Sequence, residues 1–168
     1  MTSSKNATSE QSVRLTKILP LLIIAIAALL RLLFLTSKSF WMDEGFSAFM
    51  ARTDSPTFLL FVRHGEMHIV FYYALLRLWA YASASEWSIR SFSVLVSVVT
   101  VIVVYSIGKR LFERNVALIA ALLLAVNPTH IAYAQEARSY ALETLLVSSS
   151  TLFLLRFFQT GLRRDYTA

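Results

Sequence analysis

The stretch Met67-His68-Ile69-Val70-Phe71-Tyr72-Tyr73-Ala74-Leu75-Leu76-Arg77-Leu78-Trp79-Ala80-Tyr81 decides how this chain is folded. It is apolar and aromatic, it contains Arg77, and it is shorter than the about 20 residues a helix needs to cross a bilayer. It reads either as a transmembrane helix or as an amphipathic helix lying in the interface. The charges on either side arbitrate. With the stretch in the interface, the spans fall at about 16–36, 90–108, 116–134 and 139–157. Lys109, Arg110, Arg114, Arg163 and Arg164 then share one side with Arg14 and Lys17. With the stretch crossing, those five residues move to the opposite side. Cytoplasmic loops concentrate Lys and Arg, so the interfacial reading is taken, and 37–88 becomes one external loop.

Working outward, the composition agrees with a membrane protein. Of 168 residues 57% are hydrophobic and only 15% charged, against about 25% charged in ordinary soluble domains. The absence of cysteine excludes a disulfide framework, a thiolate metal site and a cysteine nucleophile. The net charge of +6 does not point to nucleic acid, because the basic residues gather at the ends of apolar runs, the topological bias of a membrane protein. There is no Gly-rich phosphate loop and no internal repeat. The predicted fold class is all-α: a polytopic transmembrane helical protein of about four spans, with interfacial helices in the first external loop.

Residues 1–13 are polar and rich in Ser and Thr, and read as a disordered cytoplasmic tail. Residues 14–160 form the transmembrane module, and 161–168 a second cytoplasmic tail. The apolar run Ile18–Leu30 is interrupted by Arg31 and completed by Leu32–Leu35. No small-residue cleavage site follows, so the run reads as a retained helix with its N-terminus in the cytoplasm. Arg31 then lies near the far end, where it can snorkel or face a polar cavity. Ser55-Pro56 reads as an N-cap with a first-turn proline, and Asn127-Pro128 as a break or end of the third span.

Two polar clusters meet at the external face in this topology. Asp43-Glu44 follows the first span directly, and Tyr133-Ala134-Gln135-Glu136-Ala137-Arg138-Ser139-Tyr140 precedes the last. A carboxylate at that depth needs a polar cavity, a cation or a substrate. The structural alternative is Asp43 as the N-cap of a helix with Glu44 in its first turn. Glu136 and Arg138 are two apart and do not face each other on a helix. Pairing with residues elsewhere and substrate contact are both open to them. Glu143, near the start of the last span, either bonds inside the bundle or faces the cavity.

These residues resemble those of a known family. Phe40-Trp41-Met42-Asp43-Glu44-Gly45-Phe46, the segment Gly65–Trp79, Ser85-Glu86-Trp87-Ser88-Ile89-Arg90-Ser91, and Asn127-Pro128 with the Tyr133–Tyr140 cluster occur in the order found at the start of GT-C class membrane glycosyltransferases. The group is that of the dolichyl-phosphate-mannose protein mannosyltransferases and aminoarabinose transferases. The resemblance covers most of 15–160. It implies transfer of a sugar from a polyprenyl-phosphate donor to a glycan, lipid or protein acceptor at the extracytoplasmic face, in the plasma membrane, with no nucleic-acid partner.

The family's acidic pair falls on Asp43 and Glu44, and its aspartate is assigned as general base. Displacement at an anomeric carbon needs a base for the acceptor hydroxyl and cations for the departing phosphate. Arg90 and Arg138, at helix ends, suit the second task because guanidinium pairs bidentately with phosphate. Glu136 and Tyr140 complete the substrate-binding set. His64-Gly65-Glu66-Met67-His68 departs from the His-Pro-Pro that many relatives carry. Glu66 and His68 there are candidate ligands for a divalent metal ion, the one cofactor considered.

Relatives are several times longer, so this chain is expected to be an N-terminal fragment or to have lost the remaining helices. The alternative function is a truncated, non-catalytic membrane protein that binds lipid-linked sugar or a partner subunit. A fragment of a transporter is a third reading, disfavoured because the charges lie near helix ends and not at mid-span.

Overall fold

The computed structural model describes residues 18–64 and 67–165. Those residues form eight helices and no strand: α1 (Ile18–Leu32), α2 (Met42–Arg52), α3 (Ser55–His64), α4 (Met67–Ala80), α5 (Glu86–Leu111), α6 (Arg114–Ala125), α7 (Pro128–Ala134) and α8 (Tyr140–Asp165). The protein is an all-α membrane protein. Two helices, α5 and Tyr140–Gly161 of α8, are long and apolar enough to cross a bilayer. The α6–α7 pair passes the same test together, bent by 58°. The first apolar run gives only Ile18–Leu32 as described helix, and the N-terminal tail 1–13 lies outside the described residues.

Local chemistry explains the boundaries. Ser85 caps α5, accepting from Ser88 N–H at 3.2 Å, while Lys109 and Arg110 occupy its last turn, where cations favour the helix dipole. Asn127 caps α7 through His130 N–H at 2.9 Å, and Pro128 stands at its start. The break predicted at Asn127-Pro128 is therefore a full stop and restart. Two caps differ from expectation. Asp54, not Ser55, caps α3, accepting from Thr57 N–H at 3.1 Å. Trp41 is the N-cap residue of α2, so Asp43 and Glu44 both lie inside its first turn.

The packing has two centres. Where α2, α4, α5 and the start of α8 meet, Met50, Tyr72, Leu76, Ile89 and Ala141 form a buried cluster. Phe46, Phe61 and Tyr73 cross-pack over it at ring separations of 5.8–5.9 Å. Deeper along the bundle, Ala117, Ala121 and Ala125 recur every fourth residue of α6 and are all buried. Such a small-residue stripe lets backbones approach closely. At its narrowest point a Cβ on Gly108 would lie 2.8 Å from the Cα of Ala117.

Candidate active site at the helix ends

The ends of α1 and α7 and the starts of α2, α5 and α8 converge, and the sequence-predicted site residues hold them together. Glu44 is the centre. Its carboxylate receives Arg90 Nε at 2.9 Å on Oε1 and Arg90 Nη2 at 2.8 Å on Oε2, and Ala137 N–H at 2.9 Å on Oε1. Both side chains are almost fully buried, Glu44 at 2% and Arg90 at 4% exposed. Arg90 Nη1 also donates to Leu35 O at 2.9 Å and Lys38 O at 2.8 Å, and lies 2.9 Å from Glu86 Oε1. Phe40 covers the guanidinium at 4.9 Å. Burial raises the Glu44 carboxyl, but the bonds from Arg90 and Ala137 outweigh it and hold the group below the usual carboxylate range. Glu44 thus accepts three hydrogen bonds and Arg90 donates four, so most of the pair's capacity is used inside the protein.

The neighbouring carboxylate is placed otherwise. Asp43 Oδ2 meets Arg138 Nη1 at 2.6 Å, with 36% of the Asp43 side chain and 23% of the Arg138 side chain exposed. Adjacent residues thus meet adjacent residues: Asp43 the Arg138 side chain, and Glu44 the Ala137 backbone. Arg138 lies between the rings of Tyr140 (5.3 Å) and Trp41 (5.9 Å), and its Nη2 is 3.2 Å from the Tyr140 hydroxyl. Residues 135–138 are not helical, which frees Arg138 to reach α2. Glu136 faces the same region. Burial first, and then the charge of Glu44, raise its carboxyl above the ordinary value.

A cavity of about 550 Å³ opens beside these groups, lined by Lys38, Trp41, Glu44, Arg90, Gln135 and Glu136 among others. Gln135 is committed to structure. Its Nε2 donates to Leu33 O at 2.8 Å and Arg31 O at 3.2 Å, satisfying the open carbonyl end of α1. Phe34 takes a left-handed backbone there, with φ of 60°. Glu143 faces its own helix, accepting from Ser139 Oγ at 2.6 Å.

Sequence reasoning missed a second polar centre. Arg31 neither snorkels nor faces a cavity; it is 0% exposed. It donates to Ser97 Oγ at 2.7 Å, Ala27 O at 2.9 Å and Ala125 O at 3.0 Å, and its Nη2 lies 2.7 Å from His130 Nδ1. Because guanidinium only donates, His130 accepts through Nδ1. The signal was available: a break at Asn127-Pro128 leaves the last carbonyls of α6 without helical partners, and an arginine with several donors can cap them. The Glu66 and His68 metal candidate lies outside the described residues and side chains. Among the described residues no group of three or more His, Asp or Glu forms a metal site.

Carboxylates and guanidinium groups delivered to one end of a bundle of membrane helices define a class: a membrane protein with its polar site at the helix ends. The sequence profile of dolichyl-phosphate-mannose-protein mannosyltransferases matches residues 67–168, and the chain belongs to that family of membrane glycosyltransferases. The matched region contains Arg90, Glu136, Arg138 and Tyr140, while Asp43 and Glu44 precede it. No curated protein and no solved structure matches the chain.

Proposed function

We propose that the chain serves transfer of a sugar from a polyprenyl-phosphate donor to a hydroxyl acceptor at the extracytoplasmic face, with Asp43 as the general base. The observation that carries this reading is the division between adjacent carboxylates. Glu44 accepts three hydrogen bonds from Arg90 and Ala137, whereas Asp43 has one charged partner and an open side. In this mechanism Asp43 takes the acceptor O–H proton, and the acceptor oxygen bonds to the anomeric carbon. The bond from that carbon to the phosphate oxygen breaks, and the phosphate leaves with the electron pair. Arg138, held between Trp41 and Tyr140, stabilises the charge that develops on it. Glu136, on the cavity wall, hydrogen-bonds the sugar. Glu44 and Arg90, on the wall of the same cavity, hold these groups in place.

The distribution of Lys and Arg supports placing the site outside the cytoplasm, with a cytoplasmic N-terminus. Helix α4 supports the same topology. Its 14 residues reach only roughly 21 Å, short of the about 30 Å hydrocarbon core. The test is turnover of a labelled polyprenyl-phosphate sugar by membranes containing the protein, beside Asp43→Asn. Turnover reduced about 10²- to 10⁴-fold in the variant is expected for loss of a general base. Equal turnover in both would reject Asp43 as the base.

A further inference from the structure

A second cavity, of about 350 Å³, lies away from the Glu44 site, at the opposite end of α2. Arg52, Thr53, Arg77 and Tyr81 line it over a floor of Ala51, Ala80 and Ala84, whose small side chains leave the space open. Both arginines are anchored by backbone carbonyls. Arg77 Nη1 donates to Thr53 O at 2.5 Å and Met50 O at 3.3 Å, and Arg52 donates through Nε and Nη2 to Ala84 O. Phe58 packs on the Arg77 guanidinium at 4.7 Å. These contacts fix the two heads but leave Arg52 Nη1, and Arg77 Nε and Nη2, without a hydrogen-bond acceptor among the described residues.

No carboxylate lies within ion-pair distance of either arginine among the described residues. Asp54 feels the charge of Arg77, but its oxygen is occupied by Thr57 N–H at the cap of α3. The cavity is therefore a fixed concentration of positive charge with spare donors, which is the chemistry that recognises a phosphate oxyanion.

Its depth identifies the source. Ala84 immediately precedes Ser85, the cap of the spanning helix α5. The 26 residues of α5 extend about 39 Å, more than the roughly 30 Å hydrocarbon core, so its ends reach the headgroup layer. Tyr81, 85% exposed, stands at the same level, where tyrosine is enriched in membrane proteins. We propose that the Arg52–Arg77 pocket binds the phosphate of an anionic phospholipid headgroup and so docks the α2–α4 layer onto the membrane face.

The experiment uses the purified full chain and the double variant Arg52→Gln/Arg77→Gln. Retention of dioleoyl phosphatidylglycerol is read by native mass spectrometry, beside dioleoyl phosphatidylcholine and, separately, inorganic phosphate. The wild type is expected to retain phosphatidylglycerol over phosphatidylcholine, and the double variant to lose about tenfold in affinity or more. If inorganic phosphate at millimolar concentration displaces the lipid completely, the pocket is a free-phosphate site and the lipid assignment is overturned. Retention against phosphate, together with loss in the double variant, supports the lipid as the source. Equal retention by wild type and double variant, or no preference between the two lipids, overturns the proposal. Should the double variant not fold, Arg52→Gln alone, which leaves Arg77 capping α2, carries the same prediction, and unchanged retention overturns it equally. Sugar transfer plays no part in this readout, so the result stands apart from the assignment of Asp43.

Discussion

Asp43 and Glu44 are neighbours in the chain, each with an arginine partner, and they do different work. Glu44 and Arg90 are buried and multiply bonded, joining α2, α5, the 35–38 loop and the segment before α8. Asp43 and Arg138 lie at the open edge with a single ion pair between them. One residue along the helix separates a buried clasp from a carboxylate with an open side. The difference teaches that a charged pair is assigned by what remains unsatisfied. Glu44 has little capacity left for a substrate, and Asp43 has an open face.

Breaking the clasp is expected to have the largest effect. Arg90→Ala strands the Glu44 carboxylate in a buried site and should cost about 3–5 kcal/mol, read as a fall in the thermal midpoint of the detergent-solubilised protein. Removing the second polar centre comes next. Arg31→Met leaves the Ala125 carbonyl without its donor and leaves His130 Nδ1 with only the Ser97 hydroxyl, at 3.1 Å. About 2–3 kcal/mol should be lost, with the α6–α7 bend loosened, visible as faster amide exchange at 126–130.

A smaller effect sharpens the comparison through pH. The Glu44 carboxyl is held below its ordinary value, so its stabilisation is full above the ordinary glutamate range and is lost as pH falls through the lower folded value. Thermal midpoints taken from about pH 6 to about pH 3 should fall more steeply in wild type than in Glu44→Gln. Parallel curves would show that Glu44 does not titrate as assigned. The smallest change in stability belongs to the open pair. Arg138→Ala should cost under about 1 kcal/mol, because a partly exposed ion pair contributes little. A loss as large as that of Arg90→Ala would erase the distinction between the two pairs.

Much of the scaffold was legible in the sequence because long apolar runs and cap residues are local signals. The uncharged run inside α5 and the stop at Asn127-Pro128 required no tertiary knowledge. The polar connections were not legible, because they join residues far apart. Glu44 and Arg90 are separated by 46 positions and Arg31 and His130 by 99, and nothing in the spacing of either pair announces the other. The residue list for the site could be drawn up, with Asp43, Glu44, Arg90, Glu136 and Arg138 all near one another. Which of them were already committed to each other could not. Gln135 illustrates the point: it sits in the polar cluster before α8, yet its side chain closes the end of α1. Arg77, within the aromatic stretch of α4, caps α2 and lines a second pocket.

The central claim is the division of labour between the two adjacent carboxylates, and one paired measurement tests it. Sugar turnover and thermal midpoint would be determined together for Asp43→Asn and Glu44→Gln. The account predicts that Asp43→Asn keeps the wild-type midpoint while its turnover falls by at least about 10²-fold, and that Glu44→Gln lowers the midpoint. An Asp43→Asn protein that turns over like wild type, or that loses as much stability as Glu44→Gln, would contradict it.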